Sequence, residues 1–187
     1  TVWRCLVDRY VFIDHFNLLK NFTHDKDFLI YLTRIIEGFK DEAAALEELC
    51  KDFSIPSPQP SATDQNVTGN SEVAWDQQTA EVVYRFFRLD LNILLLGLKN
   101  SYSNDDVKGI LIKLVKHAMN RVDNFVMYMK TKNWVQTPPL YPFVDPDVPE
   151  KIAINEVYLL FDHLIFRYNN IHQTSTFSIL CSDPDLK

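Results

Sequence analysis

Residues 47–61 read EELCKDFSIPSPQPS, and the fold turns on what that stretch interrupts. Before it, Phe28, Leu32, Ile35, Ile36, Phe39, Ala43 and Leu46 recur at spacings of three and four, which predicts a helix over 25–51. Pro56, Pro58 and Pro60 then remove backbone donors and bias the preceding residues away from the α region. Residues 54–70 stay polar and turn-rich, a long connection. On either side lie pairs of helices with short links. Trp3, Leu6, Tyr10, Ile13 and Asn17 predict a helix over 1–20, joined to the next by 21–25. After the long link, Val82, Val83, Phe86, Phe87, Leu89, Ile93 and Leu96 predict a third helix over 72–99, about 40 Å long at ~1.5 Å per residue. SNDD (103–106) is a start signal with Ser103 as cap. It opens a fourth helix through Val107, Ile110, Leu111, Leu114, Ala118, Phe125 and Met129 to about 132. Two hairpins joined by one long connection is the ferritin-like form of the four-helix bundle. The same link could also serve an up-down-up-down bundle. A proline-rich strap over 134–151 follows, and a fifth helix runs over 152–180. The expected organisation is therefore a bundle at 1–133, the strap, and 152–187 as the first helix of a second repeat.

The repeat reading rests on LLFDHLIFRYNN (159–170), which overlies TVWRCLVDRYVF at the start of the chain. At a constant offset of 158, Leu164, Arg167, Tyr168 and Ile171 match Leu6, Arg9, Tyr10 and Ile13. Asp183 and Asp185 match Asp25 and Asp27. Pro184 after Asp183 is the pattern of an N-cap followed by proline at the first helical position. By equivalence, Asp25 caps the second helix and Asp27 sits in its first turn. Duplication explains these identities better than chance between two amphipathic helices. INEVYL (154–159) supplies a turn that the first copy lacks. Thr1 is therefore expected to lie inside a helix, and Lys187 where a sixth helix begins, as in part of a longer chain with two bundles. Arg9 and Arg167 read as repeated interhelix ion pairs, and Tyr10 and Tyr168 as repeated anchors. If the second bundle is incomplete, the apolar face of 152–180 needs a cover: the first bundle, a second bundle or another copy of the chain.

Composition bounds the function. The 187 residues are 47% hydrophobic, enough for one well-buried core, and carry a net charge of −6. An acidic chain is a poor general binder of phosphate backbone, so nucleic acid is not expected as a partner. Lys108 to Lys116 read as a solvated face. LNILLLGL (91–98) is too short to span a bilayer, so no membrane partner is expected. Cys5, Cys50 and Cys181 are odd in number, widely spaced and without CxxC, which fits reduced thiols and a cytoplasmic setting. The sequon matches at Asn21 and Asn66 read as chance.

RY in the first helix, NFTHDKDF at the first corner, IPSPQP and YMKTKNWVQTPPLYP together resemble the uncharacterised bacterial family called domain of unknown function 3231. That resemblance covers nearly the whole chain. It implies ferritin-like bundles, usually two in tandem, in Bacillus-type spore formers, and it implies no activity. The end of the fourth helix also resembles the spore coat protein F group, which implies spore association.

A dinuclear iron or manganese site in this fold needs four carboxylates and two histidines, with Glu-x-x-His pairs on two helices. Phe12, Asn21, Leu114, Leu160 and Asn169 stand three residues before the five histidines, and none is acidic. The first expectation is thus no cofactor and a non-catalytic structural or interaction protein. The alternative is an atypical metal oxidase or metal-handling site from Asp14 or His15, Glu81 or Asp90, and His117. Asp90 lies within FFRLDLNILLLGL, where a charge needs a partner. An arginine such as Arg9 or Arg121 across the bundle is the first reading. The family resemblance implies an acidic residue around 117–118, where this chain has His117 and Ala118. A small apolar ligand between Phe86, Phe87 and Phe125 is a third reading, behind a packed core. No phosphate loop and no nucleophile triad is suggested by spacing.

Overall fold

The computed structural model describes residues 2–60, 75–135 and 154–180. Among these it contains five α-helices and no strand: α1 (Val2–Lys20), α2 (Lys26–Asp52), α3 (Asp76–Lys99), α4 (Asp105–Thr131) and α5 (Ile154–Leu180). The chain divides after Trp134 into a unit holding α1–α4 and a unit holding α5. Asp183, Cys181, Asn66 and nearly all of the strap lie outside the described residues.

Two polar latches fix the order of the helices in the first unit. Asp76, the first residue of α3, accepts from the backbone N–H groups of His24 and Asp25 at 2.8 and 2.9 Å. The start of α3 therefore lies beside the corner between α1 and α2. Lys132, just past α4, donates to the carboxylates of Asp25 and Asp27 at 2.6 and 3.1 Å. The end of α4 therefore lies at the same corner. If α1 runs up, α2 and α3 run down and α4 runs up. α2 therefore ends at the opposite end of the bundle from where α3 begins. That is two hairpins with one long crossover, and the up-down-up-down alternative is set aside.

The caps explain where the helices start and stop. Asp25 accepts from the N–H of Phe28 at 3.0 Å, as the repeat predicts. The cap of α4 is Asn104, one residue later than expected, accepting from Val107 N at 3.0 Å. α2 and α4 both end without glycine. Ser54 (φ 53°) and Asn133 (φ 57°) take the left-handed conformation. Ile55 N then donates to Cys50 O, and Trp134 N to Met129 O, both at 2.8 Å. This is the six-to-one bond of the Schellman motif, and it satisfies carbonyls that the helix leaves open.

Each helix buries one seam with one charge at its middle, and Asp8 on α1 and Glu81 on α3 are buried beside the seams. Along α1 the seam is Val2, Leu6, Arg9, Ile13 and Phe16; along α2, Phe39, Glu42, Leu46 and Leu49. Along α3 it is Ala80, Val83, Phe87, Asp90, Leu94 and Gly97, and along α4, Leu111, Leu114, Ala118, Arg121, Phe125 and Met129. The α3 seam corrects the sequence expectation: Leu89 and Leu96 are 48% and 61% exposed. Trp3 on α1 likewise faces outward at 46%. The reason is that 86–98 is apolar nearly all round, so its period does not say which side faces in.

The charges divide the core in two. Toward the corner lie Phe12, Phe16, Phe28, Phe39, Phe87 and Phe125, all buried, in tilted and edge-to-face contacts such as Phe87 with Phe125 at 5.2 Å. Away from the corner lie Val2, Cys5, Leu6, Ala43, Leu46, Cys50, Leu94, Leu111 and Leu114. Four charged side chains sit at the junction.

Candidate functional site, a buried ion ring

Arg9, Glu42, Asp90 and Arg121 come from four different helices, and each is at most 9% exposed. Arg9 Nη1 donates to Asp90 Oδ1 at 2.6 Å. Arg121 Nη1 donates to Asp90 Oδ2 at 2.9 Å, and its Nη2 donates to Glu42 Oε1. Arg9 Nε and Glu42 Oε2 stand 3.1 Å apart, close enough for attraction but not aligned as a hydrogen bond. The result is a closed ring of alternating sign: α1 to α2, α2 to α4, α4 to α3 and α3 back to α1. Every pair of neighbouring helices is crossed by one ion pair. α2 and α4 have the least backbone contact of these pairs, and the Glu42–Arg121 bond crosses between them.

Burying four charges is tolerable here because the ring is neutral and each carboxylate meets two guanidinium groups. The aromatic half of the core adds to this. The guanidinium carbon of Arg121 lies 4.0 Å from the centroid of Phe39, and that of Arg9 lies 5.2 Å from it. The negative ring face favours both cations. Glu42 and Arg121 also form the floor of a cleft between α2 and α4, lined further by Gly38, Asp41, Ala45 and His117. His117 Nδ1 is 3.6 Å from Glu42 Oε1, and its side chain is 62% exposed.

Polar groups beside the ring are satisfied or neutral-leaning. Tyr10 donates its hydroxyl to Glu47 Oε1 at 2.6 Å, the partner its position called for. Burial, and then the Glu47 carboxylate, hold the Tyr10 phenol above its ordinary range. Burial raises Cys5 and Cys50 in the same way, so neither thiol is poised as a thiolate. Burial also raises Asp8, against Arg4, whose Nε lies 3.2 Å from its Oδ2.

The candidate metal residues are not brought together. Both oxygens of Asp90 are engaged by arginines. Glu81 is buried on the same helix nine residues earlier, about 13 Å along the axis at ~1.5 Å per residue. Asp14 is half-buried on α1, and His117 stands at the cleft. Among the described residues no group of three or more His, Cys, Asp or Glu is placed to hold a metal ion. Asp90 is bound by both arginines that the sequence offered as alternatives. Glu42 is the member that sequence reasoning missed. A signal existed: 39, 42, 46 and 49 continue the α2 seam, so a glutamate at 42 points inward. In α5, Arg167 and Tyr168 are exposed, and Arg167 Nε donates toward His163 Nε2 at 3.2 Å.

No family model matches the chain, and no curated protein matches it. Among solved structures it is similar to a protein of Bacillus halodurans C-125 described provisionally as a spore coat protein. The TM-score is 0.64 at 19% identity, over 75% of this chain and 91% of that one. At that identity the likeness is one of fold.

Proposed function

We propose that this chain is a non-catalytic helical scaffold or interaction protein linked to sporulation, with an ion ring at its core where ferritin-like bundles hold metal. One observation carries the reading. Arg9 and Arg121 place two fixed positive charges between Glu42 and Asp90. A metal pair would likewise supply positive charge between carboxylates. With guanidinium groups in place, the carboxylates' oxygens are already engaged. The ring then acts as a register device: each helix is tied to both neighbours at one level, a role for which buried charge is best attested. The spore link draws support from the fold likeness and from the sequence resemblance to spore-former proteins. Repeated bundles and self-assembly belong to the same proposal.

The test is elemental analysis of the purified full-length protein by mass spectrometry. The expected result is iron, manganese and zinc each far below one per chain. A stoichiometric metal, lost on replacing Glu81, Asp90 or His117 by alanine, would replace the scaffold reading with metal chemistry.

A further inference from the structure

The four links of the ring are not equivalent. Arg9–Glu42 lies within the α1–α2 hairpin, and Asp90–Arg121 within the α3–α4 hairpin. Arg9–Asp90 and Glu42–Arg121 join one hairpin to the other. The first crosses from α1 to α3 in the dry core, where both side chains are 1% exposed. The second crosses from α2 to α4 at the floor of a cleft of about 540 Å³.

That edge is closed at one end and slack at the other. At the corner, Tyr31 stacks on Tyr128 at 5.2 Å, Phe28 on Phe125 at 6.1 Å, and Lys132 reaches Asp25 and Asp27. From the ring outward, the cleft runs to Asp52 on α2 and Ile110 on α4. Over that length no hydrogen bond or ion pair other than those of Glu42 joins the two helices among the described residues. Gly38 and Ala45 give the α2 wall little bulk, and a Cβ added at Gly38 would meet nothing within 4 Å. Leu49 and Leu114, which belong to one apolar cluster, line the gap.

The ring can lose this link without stranding a charge. With Glu42–Arg121 broken, Glu42, Arg9, Asp90 and Arg121 still form an unbroken chain of alternating sign. The two groups released face a cleft that solvent already enters, since His117, 3.6 Å from Glu42 Oε1, is 62% exposed. Water can take the place of the lost partner there. Breaking Arg9–Asp90 would instead free both groups inside the core, where unpaired charge is costly.

We propose that the α2–α4 edge is a clasp. The half of the bundle away from the corner opens along it, the corner acts as the hinge, and Glu42–Arg121 is the bond that releases first. The α1–α3 side stays closed. The inference concerns the motion of the bundle and stands apart from the metal assay and the spore link.

The test is distance measurement by double electron–electron resonance on the full chain, with Cys5→Ala, Cys50→Ala and Cys181→Ser as background. One label pair, Glu48→Cys with Lys113→Cys, straddles the cleft. The other, Arg34→Cys with Asn124→Cys, straddles the same two helices toward the corner. All four positions are exposed, and Arg34 and Asn124 each lie seven residues beyond a cleft residue, Asp41 and His117. The cleft pair should show a distance distribution about twice as broad as the corner pair. Glu42→Gln, which weakens the bond at nearly constant volume, should move more of the cleft pair to long distance and leave the corner pair in place. Arg121→Ala should act in the same direction, and Glu42→Gln carries the test where that variant does not fold. Equal widths in the two pairs would overturn the proposal, and so would a Glu42→Gln chain in which both pairs broaden alike or neither changes.

Discussion

Arg121 touches two carboxylates on two other helices and the face of Phe39. Truncating it to alanine leaves Asp90 and Glu42 sharing Arg9 alone, with an uncompensated buried charge. Loss of one partner from a buried pair costs about 3–5 kcal/mol. Arg121→Ala should therefore lower the unfolding free energy by that amount in urea titrations followed by circular dichroism. The converse variant separates specificity from stability. Arg9→Met, Glu42→Leu, Asp90→Leu and Arg121→Met together remove the whole ring and leave no orphan charge. The fourfold variant should be within about 1 kcal/mol of the parent or more stable. A fourfold variant as unstable as Arg121→Ala would mean that the ring contributes net stability in its own right.

The helices are bounded by short-range chemistry, and two caps offer a comparison. Asn104 accepts one backbone N–H at the start of α4. Asp25 accepts one at the start of α2 and also receives Lys132 from beyond the end of α4. Replacing a cap of this kind by alanine costs about 1 kcal/mol. Asn104→Ala should show that loss alone, and Asp25→Ala should exceed it, because it also cuts a link between two helices. Equal losses in chemical denaturation would mean that the link to Lys132 contributes nothing. The aromatic cluster at this end supports the same junction. Trp134 packs edge-on to Phe28 and Tyr128 at 5.4 and 5.9 Å, which holds the Schellman turn of α4 over the start of α2. The hydrophobic contact that accompanies this motif offsets the left-handed backbone of Asn133.

At the scale of the molecule, the crossover bundle is tied at one end by charges that respond to pH. The Lys132 hydrogen bond, with the Phe28 N–H, holds the Asp25 carboxyl below its ordinary range. Its bonds to Asp25 and Asp27 raise the Lys132 ammonium. A depressed carboxyl stabilises the fold above its unfolded value, near ~3.9, and that contribution is lost as pH falls through the folded value. A raised amine contributes fully below its unfolded value, near ~10.4, and its contribution is lost as pH rises through the folded value. The latch is thus intact across neutral pH and opens first in acid. Lys132→Met should bring the Asp25 titration, read by carbonyl NMR, up toward the ordinary carboxylate position. It should also flatten the loss of stability below about pH 4. An Asp25 that already titrates normally in the parent chain would contradict this account.

The sequence by itself determined the helices, their caps to within a residue and the long link that makes two hairpins, because these depend on contacts within a few residues. It also marked Asp90 as a charge that needs a partner, because a lone carboxylate amid apolar neighbours is costly wherever it packs. It could not say that Arg9 and Arg121 both bind Asp90, nor that Glu42 closes the ring. Those pairs join residues 31 to 81 positions apart, and their distances are set by how four seams meet. It also misjudged the inward side of α3, since a helix apolar on most faces takes its orientation from its neighbours. What only the tertiary structure decided was the level at which the four seams coincide. At that level two arginines and two acids neutralise one another, and opposite charges that must leave water together can do so only where the fold brings them within reach.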